Sequence, residues 1–146
     1  MTSAAPAWRD PQTVRSLLTE CDTWAVVGLS GDPSRDAFRI AALLQARGKR
    51  IVPVHPDAPT VLGEPGYAAL AEVPFALDVV DVFRRSEAAG AVVDEALALA
   101  TVPRGIWLQL GVLDAAAFAR AQAAGVPMVM DSCPAIEWPR LDRQEP

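Results

Sequence analysis

A loop containing glycine and serine follows the first strongly apolar stretch of the chain. The stretch WAVVGLSGDPSR, residues 24–35, passes from apolar residues directly into a turn that contains Gly28, Ser30 and Gly31. Glycine permits a tight turn and a close approach of the backbone to a ligand. Backbone amides in such a turn can bind an anion at the start of the following helix. The pattern therefore predicts a phosphate-binding loop.

Two arginines strengthen this prediction. Arg35 and Arg39 are four residues apart, which places them on one face of the predicted next helix, near its first turn. Cations are unfavourable at the positive end of a helix dipole unless an anion is present. The alternative is that neighbouring carboxylates neutralise both arginines as surface ion pairs. The candidates for that role are Asp32, Asp36 and Asp57.

Short apolar segments alternate with alanine-rich segments of helical periodicity. This alternation is typical of strand–helix–strand units with a parallel sheet buried on both faces. We predict an α/β fold with a Rossmann-like, doubly wound parallel sheet of five strands, strand order 3-2-1-4-5 and helices on both faces. Pro53 indicates an edge position or a break in the ladder of the second strand. The predicted strands are residues 23–29, 49–56, 76–83, 105–111 and 126–133.

The length of 146 residues suits one domain with a substantial core. We predict a single domain over residues 1–146, with an N-terminal helix at about 10–21, a core at about 22–136 and a polar tail at 137–146. Helices commonly begin after a residue whose side-chain oxygen accepts a hydrogen bond from a backbone amide of the first turn. The predicted N-cap residues are Asp10, Ser86 and Asp114.

Composition argues against several classes of protein. The net charge is -5, the isoelectric point is about 4.8, and every cation except Lys49 is an arginine. Nucleic-acid binding would require a strongly basic face. We expect no membrane association and a cytoplasmic protein, because no apolar run reaches the roughly 18 residues that span a bilayer and no signal sequence is evident. The chain has only two cysteines, far apart in the sequence, and one histidine, which are Cys21, Cys133 and His55. We therefore predict free thiols and no metal site.

The segments just after the predicted strands meet at one edge of the sheet. Ligands of doubly wound sheets bind at this carboxyl edge, where the strand order reverses, which the predicted order places beside the first strand. An NAD(P)-binding oxidoreductase or a nucleotide-sensing regulator is an alternative use of the loop. NAD would call for an acidic residue at the end of the second strand, where His55 stands, although Asp57 follows closely. The segments are GLSGDPSR, VHP, FRRSE, QLG and DSC.

Six segments in consistent order resemble the small stand-alone coenzyme A-binding proteins. These proteins are relatives of the coenzyme A-binding domain of the succinyl-CoA synthetase alpha subunit. The resemblance covers about residues 10–141 and implies a Rossmann-like domain that binds coenzyme A or an acyl-CoA in a carrier or regulatory role. The matching segments are VVGLSGDPSR, GKRIVPVHP, LGEPGYAAL, LDVVDVFRRSE, GIWLQLGV and DSCPAIE.

The resemblance also implies roles for individual residues. The first loop would approach the pyrophosphate, the arginines after it would counter phosphate charge, and the end of the second strand would line the adenosine side. The segment after the third strand would close the opposite wall, and the W-x-Q-x-G segment would lie near the pantetheine arm or beneath the loops. In that order the residues are Gly28, Ser30 and Gly31; Arg35 and Arg39; Val54, His55 and Pro56; Phe83 and Arg84; and Trp107, Gln109 and Gly111.

The sequence departs from the family at three positions. The family usually has serine at Ala37, asparagine at His55 and arginine at Ser132. Loss of the serine hydroxyl and of the guanidinium would weaken ligand binding, with a charged His55 as a compensating group. We predict no catalytic residues, because His55 fits a pocket wall better than a general base. Expected partners are a second copy of the chain, through Trp8 and Trp138, or an acyl-transfer enzyme. A further alternative is an interaction module that binds no ligand.

Overall fold

A five-stranded parallel sheet forms the centre of the computed structural model, which describes residues 5–144. The strands lie in the order β2-β1-β3-β4-β5. Nearly every strand residue is buried, which explains why the strands are continuous apolar runs. The strands are β1 (Thr23–Val27), β2 (Arg50–Val54), β3 (Val79–Val82), β4 (Gly105–Leu108) and β5 (Met128–Val129).

Helices cover both faces of the sheet, which confirms the predicted fold class. One apolar cluster packs three helices, α1, α2 and α5, against one face, and a second cluster packs α3 and α4 against the other. No helix within residues 5–144 has the length and apolar character needed to cross a membrane. The helices are α1 (Pro11–Glu20), α2 (Asp36–Ala46), α3 (Ser86–Leu97), α4 (Ala115–Ala123) and α5 (Pro134–Gln144), with 3-10 turns at Ala7–Arg9 and Leu70–Glu72.

The strand order differs from the predicted 3-2-1-4-5. β3 pairs with β1, in the register Val27 to Val82, and β2 lies at the edge of the sheet. Pro53 in β2 supplies the physical reason, because proline has no N–H to donate to a strand on its outer side. On that side, among residues 5–144, the Pro53 carbonyl accepts a hydrogen bond only from the Tyr67 amide, in a single bridge. The reversal of strand order therefore lies between β1 and β3.

Two of the three predicted helix caps are confirmed. The Asp10 and Asp114 carboxylates each accept a hydrogen bond, at 3.0 Å, from the backbone amide three residues further on. The prediction for Ser86 is wrong, because Arg85 precedes α3 and Ser86 is its first residue. The Ser86 hydroxyl instead accepts a hydrogen bond from the Leu113 amide at 3.1 Å. It connects α3 to the loop after β4.

The predicted polar tail is also corrected. Residues 137–144 continue α5, and the side chains of Trp138 and Leu141 are buried on the sheet. Their spacing of three residues places both on one face of the helix, while Pro139 and Arg140 between them are exposed. Trp138 is therefore not an exposed dimer contact, and Trp8 is half-buried against the core. The last two residues of the predicted tail lie outside the described part of the chain.

We expect Trp138→Ala to lower the free energy of unfolding by about 3–5 kcal/mol, because truncation of a buried tryptophan leaves a cavity. The Arg47 guanidinium carbon lies 4.6 Å from the centre of the Trp138 ring, and that contact would be lost as well. Urea unfolding followed by circular dichroism measures the change. Ile136→Ala on the same helix is the control. The Ile136 side chain is 42% exposed, so its truncation should lower the free energy of unfolding far less. Equal effects would contradict the packing of α5.

Candidate functional site

A cleft of about 1120 Å³ opens at the carboxyl edge of the sheet. Loops that follow all five strands contribute to its walls, and the starts of α2 and α3 lie on opposite sides of it. Its position where the strand order reverses is the usual place for a ligand in this class of sheet. Representative lining residues, in order from the loop after β2 to the loop after β5 across the sheet, are His55, Gly28, Phe83, Gln109 and Cys133.

Gly28 lies where two backbone segments approach each other closely in the cleft. Its φ of +100° is in the region that favours glycine, and its amide donates a hydrogen bond to the Val54 carbonyl at 2.8 Å. A Cβ at this position would lie 2.7 Å from the carbonyl oxygen of Phe83. Only glycine therefore allows the loop after β1 to turn away beside the end of β3.

Most of the predicted binding residues meet in this cleft. Val54 is buried in the core, whereas Pro56 and Gly31 are exposed beside the cleft, and all three lie outside its lining. Their part in ligand binding stays a prediction. The nine predicted residues that line the cleft are Gly28, Ser30, Arg35, Arg39, His55, Phe83, Arg84, Gln109 and Gly111.

The two arginines near the start of α2 have carboxylate partners. Arg35 lies 3.7 Å from Asp32, and Arg39 pairs closely with Asp36, as the alternative from the sequence proposed. The Arg35 and Arg39 side chains are 75% and 61% exposed. Exposed ion pairs contribute little to stability, so both arginines can exchange a carboxylate for a phosphate at small cost.

Two further arginines follow β3 and also line the cleft. Within the described part of the chain, neither Arg84 nor Arg85 forms an ion pair with another residue. The sequence places both arginines after the third predicted strand, on the ligand side of the sheet, but only Arg84 is among the predicted binding residues. An arginine pair at the carboxyl end of a central strand is the signal that identifies Arg85.

Helix N-termini add further positive potential. Arg35 and Arg85 stand at the N-cap positions just before α2 and α3, and neither helix has a side-chain cap in the described structure. By contrast, α1 and α4 are capped by Asp10 and Asp114 and begin outside the cleft. Uncapped first-turn amides and the helix dipole both favour a bound anion. α2 and α3, which lie on opposite faces of the sheet, therefore both present uncapped N-termini to the cleft.

A buried carboxyl that is not among the predicted site residues lies beneath the cleft. Asp81 in β3 has no exposed surface, and its Oδ1 accepts a close hydrogen bond from the Gln109 amide nitrogen. Burial raises the pKa of Asp81 to about 8, although the hydrogen bond from Gln109 acts in the opposite direction. The signal in the sequence is an aspartate inside the apolar strand VVDVF.

The family departures fall in different environments. Ala37 and His55 line the cleft, whereas Ser132 is buried and its hydroxyl donates a hydrogen bond to a backbone carbonyl at 2.9 Å. The Ser132 carbonyl accepts a hydrogen bond from the Trp107 indole, also at 2.9 Å. Ser132 therefore supports the fold beneath the loops. Cys133 is a half-buried free thiol in the cleft wall.

Other carboxylates near the cleft have structural partners. Asp131 pairs with Arg9 at 2.9 Å and accepts a hydrogen bond from the Gly111 amide at 2.7 Å. Glu137 pairs with Arg140 at 3.1 Å. Among residues 5–144, no group of three or more histidine, cysteine, aspartate or glutamate side chains is arranged to hold a metal ion. The arrangement favours binding of an anionic ligand.

Comparison with known proteins identifies the family. Residues 22–139 match the CoA binding domain. The chain belongs to this family. The match includes all five strands and the cleft, so the resemblance inferred from the sequence motifs is confirmed.

Individual relatives agree with the family assignment. The uncharacterized protein YneT of Bacillus subtilis is 32% identical over 120 residues, which cover 82% of this chain and 87% of YneT. A hypothetical protein from Pyrococcus horikoshii OT3 superimposes with a TM-score of 0.86 at 28% identity, covering 97% of this chain and 99% of that one.

A larger enzyme contains the same fold. The dinucleotide-forming acetyl-coenzyme A synthetase 1 of Ca. Korarchaeum cryptofilum superimposes with a TM-score of 0.63 at 22% identity. The superposition covers 76% of this chain and 26% of the synthetase. The likeness therefore concerns the fold of one part of that enzyme.

We expect Gly28→Ala to destabilise the CoA-binding domain by about 1–3 kcal/mol, because alanine is strained at this φ and its Cβ would contact the Phe83 carbonyl. Gly31→Ala is the matched control, since a Cβ there would meet no atom within 4 Å. Thermal unfolding of both variants measures the difference. Similar melting temperatures for the two variants would contradict the close contact between β1 and β3.

Asp81 should make stability depend on pH. Between pH 3.8 and about 8 the folded protein keeps a proton that the unfolded chain loses, so stability falls as pH rises through this window. The fall is at most about 1.4 kcal/mol per pH unit. We expect Asp81→Asn to remove this dependence, so that the variant gains stability relative to the parent between pH 5 and pH 8. Urea unfolding at pH 5 and pH 8 measures the free energy of unfolding of both proteins. An equal change in that free energy between the two pH values for parent and variant would contradict a protonated Asp81.

Proposed function

We propose that this protein binds coenzyme A, or an acyl thioester of it, in the cleft between β1 and β3, and that it acts as a carrier or regulator without catalysing a reaction. The observation that carries the proposal is the local concentration of positive potential in a chain whose net charge is -5. Four arginines and two uncapped helix N-termini border one cleft in a member of the CoA binding domain family.

The phosphates of coenzyme A suit the positive part of the cleft. The loop at Gly28 and Ser30 would hold the pyrophosphate, between the first-turn amides of α2 and α3. Arg84 and Arg85 are available to a phosphate without loss of an existing ion pair in the described structure, whereas Arg35 would first release Asp32. Guanidinium groups bind phosphate through paired, charge-assisted hydrogen bonds.

The extent of the cleft supports an elongated ligand. Its lining runs from His55 after β2 to Cys133 after β5, across four strand spacings of about 4.8 Å, or roughly 19 Å. A nucleotide with a long arm would occupy that whole distance, with its adenosine near His55 and its thiol end towards Cys133. The thiol end would then lie against the part of the cleft wall that is formed by Leu110, Val112 and Cys133.

An NAD(P)-binding role has less support. The end of β2 presents His55, and the nearby Asp57 side chain is 86% exposed and is oriented towards that histidine at 3.7 Å. A ribose acceptor in a dinucleotide site would have to face the ligand. NAD and NADP are therefore included as competing ligands in the experiment below.

A carrier without catalytic groups would pass its ligand to a partner, and an acyl-transfer enzyme is the partner that we propose.

We expect coenzyme A to raise the melting temperature of the protein and to bind in calorimetry, with NAD and NADP giving no comparable shift. Arg84→Ala should weaken coenzyme A binding by about 1.5–3 kcal/mol, because a charge-assisted phosphate contact is lost. Arg35→Ala should weaken it less, since Arg35 already has a carboxylate partner. Binding should weaken as salt is added.

Arg120→Ala is the matched control for these variants. Arg120 pairs with Asp94 at 2.8 Å and lies outside the cleft lining. Its substitution by alanine removes the same charge from the protein as the substitutions at Arg84 and Arg35. It should leave the affinity unchanged. A stronger response to NAD or NADP than to coenzyme A would overturn the proposal in favour of a dinucleotide site. An absence of binding by all three ligands would instead favour an interaction module.

A further inference from the structure

Asp81 is a buried carboxyl with no counter-ion among its described contacts. It lies in β3 between Val26 of β1 and Trp107 of β4, and none of its surface is exposed. Its Oδ2 has no hydrogen-bond partner in the described part of the chain. An unpaired buried polar atom destabilises a fold, and an apolar side chain here would avoid that cost. The carboxyl therefore calls for an explanation beyond packing.

Its only described hydrogen bond leads to the cleft. The Gln109 amide nitrogen donates to Asp81 Oδ1, and Gln109 is 7% exposed at the cleft wall. A side-chain amide is a donor at one end and an acceptor at the other. Once its nitrogen is held by Asp81, the carbonyl oxygen of Gln109 is the end that remains available, and it makes no hydrogen bond with the described residues.

We propose that Asp81 is a positioning residue, which fixes the Gln109 amide so that its carbonyl oxygen faces the cleft and accepts a hydrogen bond from an amide N–H of the bound ligand. The inference rests on the proposed function, because the pantetheine arm of coenzyme A contains two secondary amides. It gives Gln109 a fixed orientation and a specific contact with that arm, separate from the phosphate contacts proposed for the loops after β1 and β3.

The electrostatics of the pair agree with this assignment. Because burial keeps the Asp81 carboxyl protonated at neutral pH, it can anchor Gln109 without placing a negative charge beneath an anionic ligand. The proton is then on Oδ2, and Oδ1 remains free to accept from Gln109. An asparagine at this position would present the same acceptor to Gln109, whereas a leucine would present none.

The experiment compares two ligands by calorimetry. One is coenzyme A, and the other is adenosine 3′-phosphate 5′-diphosphate, which lacks the pantetheine arm. We expect Asp81→Leu to weaken coenzyme A binding by about threefold to tenfold, the effect of one neutral hydrogen bond, and to leave the affinity for the truncated nucleotide unchanged. Asp81→Asn should retain the coenzyme A affinity of the parent. Asp81→Ala provides the same test if the leucine variant does not fold.

Two further variants separate positioning from general destabilisation. Val80→Ala is on the same strand but faces the other side of the sheet, so it should lower stability and leave both affinities unchanged. Gln109→Leu should show the same selective loss as Asp81→Leu, and the double variant should show no additional loss. Equal weakening of both ligands by Asp81→Leu, or unchanged coenzyme A binding, overturns the inference while the proposed function stands. Failure of the parent to bind coenzyme A overturns both.

Discussion

The close approach of two backbones, at Gly28 and Phe83, determines where the cleft opens. β1 and β3 run side by side to this point, where the Phe83 amide donates to the Val27 carbonyl at 2.9 Å. Beyond it the chain turns to α2 on one face of the sheet and to α3 on the other. A side chain at Gly28 would separate the two strand ends. The positions of both helix N-termini, and of the arginines that flank them, depend on this contact.

The cleft concentrates positive potential in an acidic molecule by short-range means. Exposed ion pairs hold Arg35 and Arg39 loosely, and uncapped helix termini present amides that need a partner. The buried Asp81 adds no negative charge while it is protonated. Net charge alone would therefore misrepresent the site, since the field at a cleft depends on nearby groups and weak solvent screening more than on the total.

Local sequence patterns predicted much of the fold and of the cleft. Apolar runs located all five strands, although their predicted ends extended beyond the observed ones by several residues, and nine of the predicted binding residues line the cleft. Predictions failed where a residue's partner is distant in sequence. Ser86 contacts the loop after β4 instead of its own helix, and Trp138 packs on the sheet from a segment whose average composition is polar.

The sequence by itself determined the five strands, the first four helices and the family, because helix periodicity, apolar runs and turn chemistry act over a few neighbouring residues. Only the tertiary structure decided that β3 lies beside β1, which brings Arg84 to the phosphate loop, and that Asp81 meets Gln109. Strand order depends on which strands exchange backbone hydrogen bonds. That choice is made between segments far apart in the chain, where a single proline at an outer edge excludes one neighbour.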